Sequence, residues 1–249
     1  MSIGTLILLR HGRSTANNAG VLAGRTHGVD LDDAGRSQAA DVVARLSGAR
    51  IARVVSSPMV RCRHTAQPLA DARGLPLQVD ERIAEVDYGT WTGRRLAELA
   101  DEPLWRTVQL HPAAAVFPGG EALAAVAVRA VAAAREHAER SGDDGAAVLC
   151  SHGDVIKAIL ADALGLHLDS FQRLVVSPAS LSVVRYTPLR TFVERFNDTG
   201  TLDGVGAPAG EGEHGSGSAG SDRASEATVG GEPGTPAPGE APHAPRDVS

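Results

Sequence analysis

The run Thr5-Leu6-Ile7-Leu8-Leu9 shows no alternation of apolar with polar side chains, and residues 146–150, Ala-Ala-Val-Leu-Cys, repeat the feature. A strand with one wet face alternates at period two, so consecutive apolar residues require cover on both faces. Such cover comes from helices, and the chain supplies them between the strands. Residues 33–46 read as an amphipathic helix closed by Gly48, and residues 52–56 as a second short strand. Pro58 opens a helix running to Gly74, since proline suits the first helical turn. Residues 120–140 form a long Ala/Val-rich helix, and residues 154–164 another that Gly165 closes. Residues 181–186 and 192–196 finish the sheet as an edge hairpin across Thr187-Pro188. The alternation predicts an α/β fold, a three-layer α/β/α sandwich with a largely parallel central sheet.

The chain has 249 residues, of which 43% are hydrophobic, enough for one sizeable core. Beyond Asp198 the composition shifts to Gly, Pro, Ser, Ala and Glu, which cannot bury enough surface to offset ordering entropy. The reading is one domain over residues 1–198 and a disordered acidic tail over 199–249. The tail's eight acidic residues against Arg223 and Arg246 account for the whole formal charge of -6, leaving residues 1–198 balanced. Lys157 is the single lysine of that domain, and its other basic residues are arginines, whose planar forks suit phosphate. No basic run interleaved with aromatics predicts a nucleic-acid partner. No apolar run is long enough to span a membrane, and Met1-Ser2-Ile3-Gly4 does not open a secretory signal, so a cytoplasmic protein without a membrane partner is expected. Cys62 and Cys150 are expected as buried thiols.

Arg10-His11 follow the first strand, Arg61 lies just beyond the second, and His152 follows the strand at 146–150. Ligands of open α/β sheets bind beyond the carboxyl ends of the strands, so these segments should share one crevice. A histidine on a glycine-relieved turn at that rim is placed to attack rather than to pack. The chain lacks a Gly-x-x-x-x-Gly-Lys-[Ser/Thr] phosphate loop, a His-Glu-x-x-His zinc motif and a Gly-x-Ser-x-Gly elbow.

Several longer segments occur in a fixed order. They are Arg10-His11-Gly12-Arg13-Ser14-Thr15-Ala16-Asn17, the stretch 29–39, Ser56-Ser57-Pro58-Met59-Val60-Arg61, Glu85-Val86-Asp87-Tyr88-Gly89, Phe117-Pro118-Gly119-Gly120-Glu121 and Ser151-His152-Gly153-Asp154. Together they resemble the histidine phosphatase superfamily, also called phosphoglycerate mutase-like, across residues 3–198. More narrowly they resemble a bacterial branch labelled probable phosphomutase. The resemblance implies that His11 is a nucleophile that becomes phosphohistidine, with Arg10, Arg61 and His152 around the phosphoryl group. Preplaced cationic donors stabilise its equatorial oxygens without a metal, so no metal and no cofactor are expected. Arginines beside His11 should also disfavour its protonated form. Glu85 matches the proton donor, with Asp87 the rival acid nearby. Arg13, Asn17, Gly24, Tyr88 and Gly153 are the candidate substrate-binding residues, and Trp91 is read as packing beneath the acid loop.

The sequence also departs from the family pattern. Arg13 stands where a glutamate is frequent, Val86 and Asp87 replace the basic pair of true phosphoglycerate mutases, and Arg106 is the single arginine between 101 and 118. A mutase needs a second anion site to hold its bisphosphate intermediate, so hydrolysis of a phosphorylated small molecule is the expected reaction and mutase or phosphotransferase activity the alternative. A phospholigand-binding module without turnover is a further reading. Another makes His11 and His152 metal ligands, against which no carboxylate stands at ligand spacing. Specificity is expected in loops 20–30 and 101–120, through Arg25, His27, Trp105 and His111. The sequence specifies no oligomeric state.

Overall fold

The computed structural model describes residues 4–201. Most of the expected tail, residues 202–249, lies outside the described residues. In chain order the elements are β1 Gly4–Arg10, α1 Thr15–Asn18, α2 Asp33–Arg45, β2 Ile51–Ser56, α3 Val60–Arg73, β3 Leu77–Val79, α4 Leu96–Leu99, α5 Pro103–Leu110, α6 Leu123–Ser141, β4 Ala146–Ser151, α7 Gly153–Ala163, β5 Leu181–Tyr186 and β6 Thr191–Asp198, with short 3-10 turns between some of them.

The strands form one six-stranded sheet in the order β3-β2-β4-β1-β5-β6. β1 runs parallel to β4, β4 to β2 and β2 to β3. β5 and β6 add an antiparallel hairpin at the β1 edge. Within β1 the side chains part by the period of the strand: Leu6 and Leu8 join one core, Ile7 and Leu9 the other. The first core includes residues of α6 and α7, the second residues of α2 and α3. This two-sided burial is why residues 6–9 include no polar side chain. Each such Leu or Ile adds roughly 1.5–3 kcal/mol relative to leaving it exposed.

Some boundaries differ from the sequence reading. α2 ends at Arg45 with Leu46 as its cap, so Gly48 does not close it. α3 ends on Gly74 in the left-handed region, as expected. The long helix starts at Leu123 rather than at 120, because residues 117–121 turn back against the loop at 87–90 before the helix begins. β3 was not anticipated: three residues are too few to show a period. The expected loop at 101–120 contains α5, with Pro103 at its first turn and Trp105 and Val108 buried.

Candidate active site

Because β1, β4 and β2 are neighbours and parallel, their carboxyl ends leave the sheet at one rim. The ladder continues past the strands: His11 N–H donates to the Ser151 carbonyl (3.0 Å) and Ser57 N–H to the Cys150 carbonyl (2.9 Å). His11 and His152 meet there with ring centroids 5.3 Å apart. Arg61, in the first turn of α3, reaches His152, and Arg10 anchors its Nη1 on the Val176 carbonyl (2.6 Å). All four side chains are buried. Gly12 makes the turn after His11 possible, since a Cβ there would lie 2.6 Å from the Gly35 carbonyl oxygen of α2. Thr65 of α3 ties the turn down by accepting from Gly12 N–H (3.0 Å).

The hydrogen bonds assign the histidine tautomers. His11 Nδ1 lies 2.7 Å from the Gly12 carbonyl, which can only accept, so Nδ1 carries the proton and Nε2 keeps its lone pair. Burial first, then the charges of Arg61 and Arg10, push this imidazole well below its usual 6.5 and keep it neutral. At His152 the order reverses. Arg61 Nη2 can only donate, and it donates to Nδ1 (3.1 Å), which leaves Nε2–H to donate to Ser57 Oγ (2.7 Å). Arg61 Nη2 also donates to the Gly24 carbonyl (2.9 Å), while the buried Nη1 has no hydrogen-bond partner among the described residues. A buried guanidinium nitrogen in that condition has N–H donors that an incoming oxygen could satisfy.

Glu85 joins the cluster from the loop between β3 and α4. One oxygen accepts from Val86 N–H (3.0 Å); the other lies 3.5 Å from His152 Nδ1 and 3.8 Å from Arg61 Nη2. Burial pushes this carboxyl up to about 7, against the pull of Arg61 and with a further push from the buried Asp154. A group that is half protonated near neutral pH can both give and take a proton. The rival acid Asp87 is turned elsewhere, accepting from Gly89 N–H (3.0 Å) within its own loop.

The other expected residues divide. Arg13 is paired with Asp32, the N-cap of α2, at 2.6 Å. Asn17 closes a capping box with Ser14 at the start of α1. Gly24 contributes its carbonyl to Arg61, and Gly153 is the buried first residue of α7. Tyr88 packs its ring edge-on to Phe117 (4.9 Å) and donates its hydroxyl to Asp154 (2.8 Å). Trp105 is buried, its ring 6.2 Å from that of Trp91. Trp91 itself is buried against Phe117 (5.3 Å). Arg25 donates to the Glu85 carbonyl and pairs with Glu121, while His27 and His111 are exposed. Ser57, Thr65, Asp154 and Arg129 were given no role in the sequence reading. Their signal is spatial, as each acts on a residue distant in sequence. Among the described residues no three His, Cys, Asp or Glu side chains are disposed to hold a metal ion. Both cysteines are free and buried, with Cys62 Sγ 3.4 Å from His152 Nε2.

A profile of the histidine phosphatase superfamily (branch 1) matches residues 6–199. Phosphoserine phosphatase 1 of Hydrogenobacter thermophilus is 32% identical over 197 residues, which span 78% of this chain and 92% of that protein. A Yersinia pestis protein named as a probable phosphoglycerate mutase is 31% identical over 203 residues, spanning 79% and 94%. Among solved structures, that of mycobacterial glucosyl-3-phosphoglycerate phosphatase superposes with a TM-score of 0.71 at 27% identity, over 79% of this chain and 99% of the other. With the ordered motifs and the sheet that gathers them at one rim, this establishes that the chain belongs to branch 1 of the histidine phosphatase superfamily.

Proposed function

We propose that the protein is a phosphohydrolase that releases inorganic phosphate from small phosphomonoesters through a phosphohistidine on His11. One observation carries the reading: the free lone pair of His11 Nε2, the unpartnered Arg61 Nη1 and a carboxyl with its pKa near neutrality meet in one buried cluster. Nε2 attacks phosphorus, and the bond from phosphorus to the ester oxygen breaks. Arg10, Arg61 and His152 surround the equatorial oxygens, where charge develops. Glu85 gives its proton to the departing oxygen, then as carboxylate takes one from the water that attacks phosphohistidine. Phosphate leaves and both residues return to their starting states.

Arg13, Asn17, Gly24, Tyr88 and Gly153 are the candidates for further substrate contacts, Arg13 and Gly153 standing next along the chain from the His11 turn and from His152. Hydrolysis is favoured over mutase chemistry because the positions of the mutases' basic pair hold the buried Val86 and the loop-bonded Asp87. The relatives named for phosphoserine and glucosyl-3-phosphoglycerate support a small phosphorylated metabolite as substrate. We place the catalytic domain at residues 1–198, in keeping with the family match over 6–199. Among the described residues no helix is long and apolar enough to cross a membrane, and the free thiols are in keeping with a cytoplasmic setting.

The test is a panel of phosphorylated hydroxy acids and sugars assayed for phosphate release with EDTA present. Release should persist in the chelator, and 3-phosphoglycerate should be hydrolysed faster than it is isomerised. Loss of activity in EDTA that a divalent ion restores, or isomerisation outrunning hydrolysis, overturns the reading.

A further inference from the structure

The segment that carries Glu85 has no sheet ladder to fix it. Within a 3-10 turn at Glu81–Ile83, and between it and another at Gly89–Trp91, three backbone carbonyls find guanidinium donors instead, those of Arg82, Ala84 and Glu85. Arg129, on α6, donates through Nη1 to the carbonyls of Arg82 and Ala84, each at 2.7 Å, and through Nη2 to that of Glu85 at 3.2 Å. Arg25 donates to the same Glu85 carbonyl through Nε at 2.8 Å. The two arginines are joined by one carboxylate. Glu121 accepts from Arg25 Nη2 (2.9 Å), from Arg129 Nε (3.0 Å) and Nη2 (2.9 Å), and from Asp87 N–H (2.9 Å). Its own N–H returns a bond to the Asp87 carbonyl (2.8 Å). Gly120 permits this approach, since a Cβ there would lie 2.2 Å from the Asp87 carbonyl oxygen. Burial works against the Glu121 charge, yet the bonds from Arg129 and from Asp87 N–H hold its carboxyl below the usual range.

Arg25 has a second connection. Its neighbour Gly24 presents the carbonyl that accepts from Arg61 Nη2 (2.9 Å). Two successive residues of one loop thus touch the phosphate-side guanidinium and the backbone of the proton donor.

We propose that Glu121, Arg25 and Arg129 are positioning residues that hold the Glu85 carboxyl at the distance and angle at which it reaches the leaving oxygen. The proposal rests on the reading of Glu85 as proton donor. None of the three touches the reacting atoms. They act through the backbone of residues 82–87, and the fixed relation of Gly24 to Arg25 keeps the donor in register with Arg61. A misplacement of about 1 Å in such a constellation costs on the order of 10²-fold.

The experiment is a double-mutant cycle on the phosphorylation step, read by rapid quench with an alkyl phosphate and with p-nitrophenyl phosphate. Arg25 is over a third exposed, so Arg25→Met is chosen to spare the fold, and Glu121→Gln is the second variant. Arg25→Met should slow the alkyl ester roughly 10- to 10²-fold and the nitrophenyl ester by less than about 3-fold, because only a poor leaving group needs the proton. In a Glu85→Gln background the same substitution should add no further loss. Arg25→Lys, which keeps a donor, should recover part of the alkyl rate. Competitive inhibition by inorganic phosphate should stay within about 3-fold of the parent, since Arg61 and His11 are untouched. Equal losses for both esters, or losses that add fully to that of Glu85→Gln, overturn the positioning role. If Glu85→Gln itself slows both esters alike, the proton-donor reading fails and the positioning proposal falls with it.

Discussion

The two sides of the active site are held by different means. On the phosphate side, His11, Ser57 and His152 stand one residue beyond β1, β2 and β4, and the sheet's own hydrogen-bond pattern runs on into His11 and Ser57. On the acid side, Glu85 sits in a loop whose carbonyls are gripped by the side chains of Arg25 and Arg129, drawn from two other parts of the chain. A ladder fixes position through many short-range backbone bonds that fold with the core. A side-chain grip concentrates the same task in a few removable groups. The phosphate side should therefore fail all at once when its chemistry is cut, and the acid side by degrees.

The largest effect expected on the phosphate side is that of His11→Ala. The neighbouring His152 offers no free ring nitrogen in its place, since its Nδ1 accepts from Arg61 and its Nε2 carries the hydrogen. Turnover should fall to background and the acid-labile phosphoenzyme should vanish. Phosphoenzyme surviving in that variant would show that the ladder side does not carry the nucleophile.

On the acid side Glu85→Gln should slow phosphorylation by alkyl esters by roughly 10²–10⁴, the range of a lost general acid, and by nitrophenyl esters far less. The parent's pH profile sharpens the point. Burial raises Glu85 to about 7, so the alkyl rate should fall as pH rises through that value and the donor ionises. His11, held well below 6.5, stays neutral throughout and adds no opposing limb there. In Glu85→Gln the fall near pH 7 should disappear. A parent rate independent of pH between 5 and 9 would remove Glu85 from the role.

The same contrast explains what the sequence made legible. The apolar runs of β1 and β4 and the glycine turns behind them are local patterns, and topology then carries the adjoining His11 and His152 to one rim. Glu85 could be told from Asp87 only by motif position, because what separates them is burial beside Arg61 and His152 against a bond to Gly89 in the loop. The packing of Tyr88 and Trp105 is illegible in the sequence for a related reason. An aromatic residue looks alike in sequence whatever it packs against, and the ring partners Phe117 and Trp91 lie far along the chain. The grip of Arg129 on residues 82–85 spans 44 to 47 positions and carries no period at all.

The smallest effect is on stability, and it tests whether the acid side is a compromise between folding and function. The folded state raises Glu85 from an ordinary 4.5 to about 7, so the native protein resists its ionisation. Below pH 4.5 the group is protonated in both folded and unfolded chains and contributes nothing to pH dependence. Between 4.5 and 7 the unfolded chain loses the proton first, and the parent loses stability as pH rises. Above about 7 both forms are ionised and the difference is constant, on the order of 3 kcal/mol. Glutamine has nearly the same shape and cannot ionise, so Glu85→Gln should match the parent in acid and exceed it at pH 8. Titrations of groups remote from Glu85 cancel in the comparison. In a domain of about 200 residues each 1 kcal/mol moves Tm by roughly 2–4 °C, which thermal melts of the pair from pH 4 to 8 can follow. A gap that stays flat across that range, or that opens in favour of the parent, would mean that the Glu85 carboxyl carries no native-state strain and that its placement is as well supported as that of the ladder side.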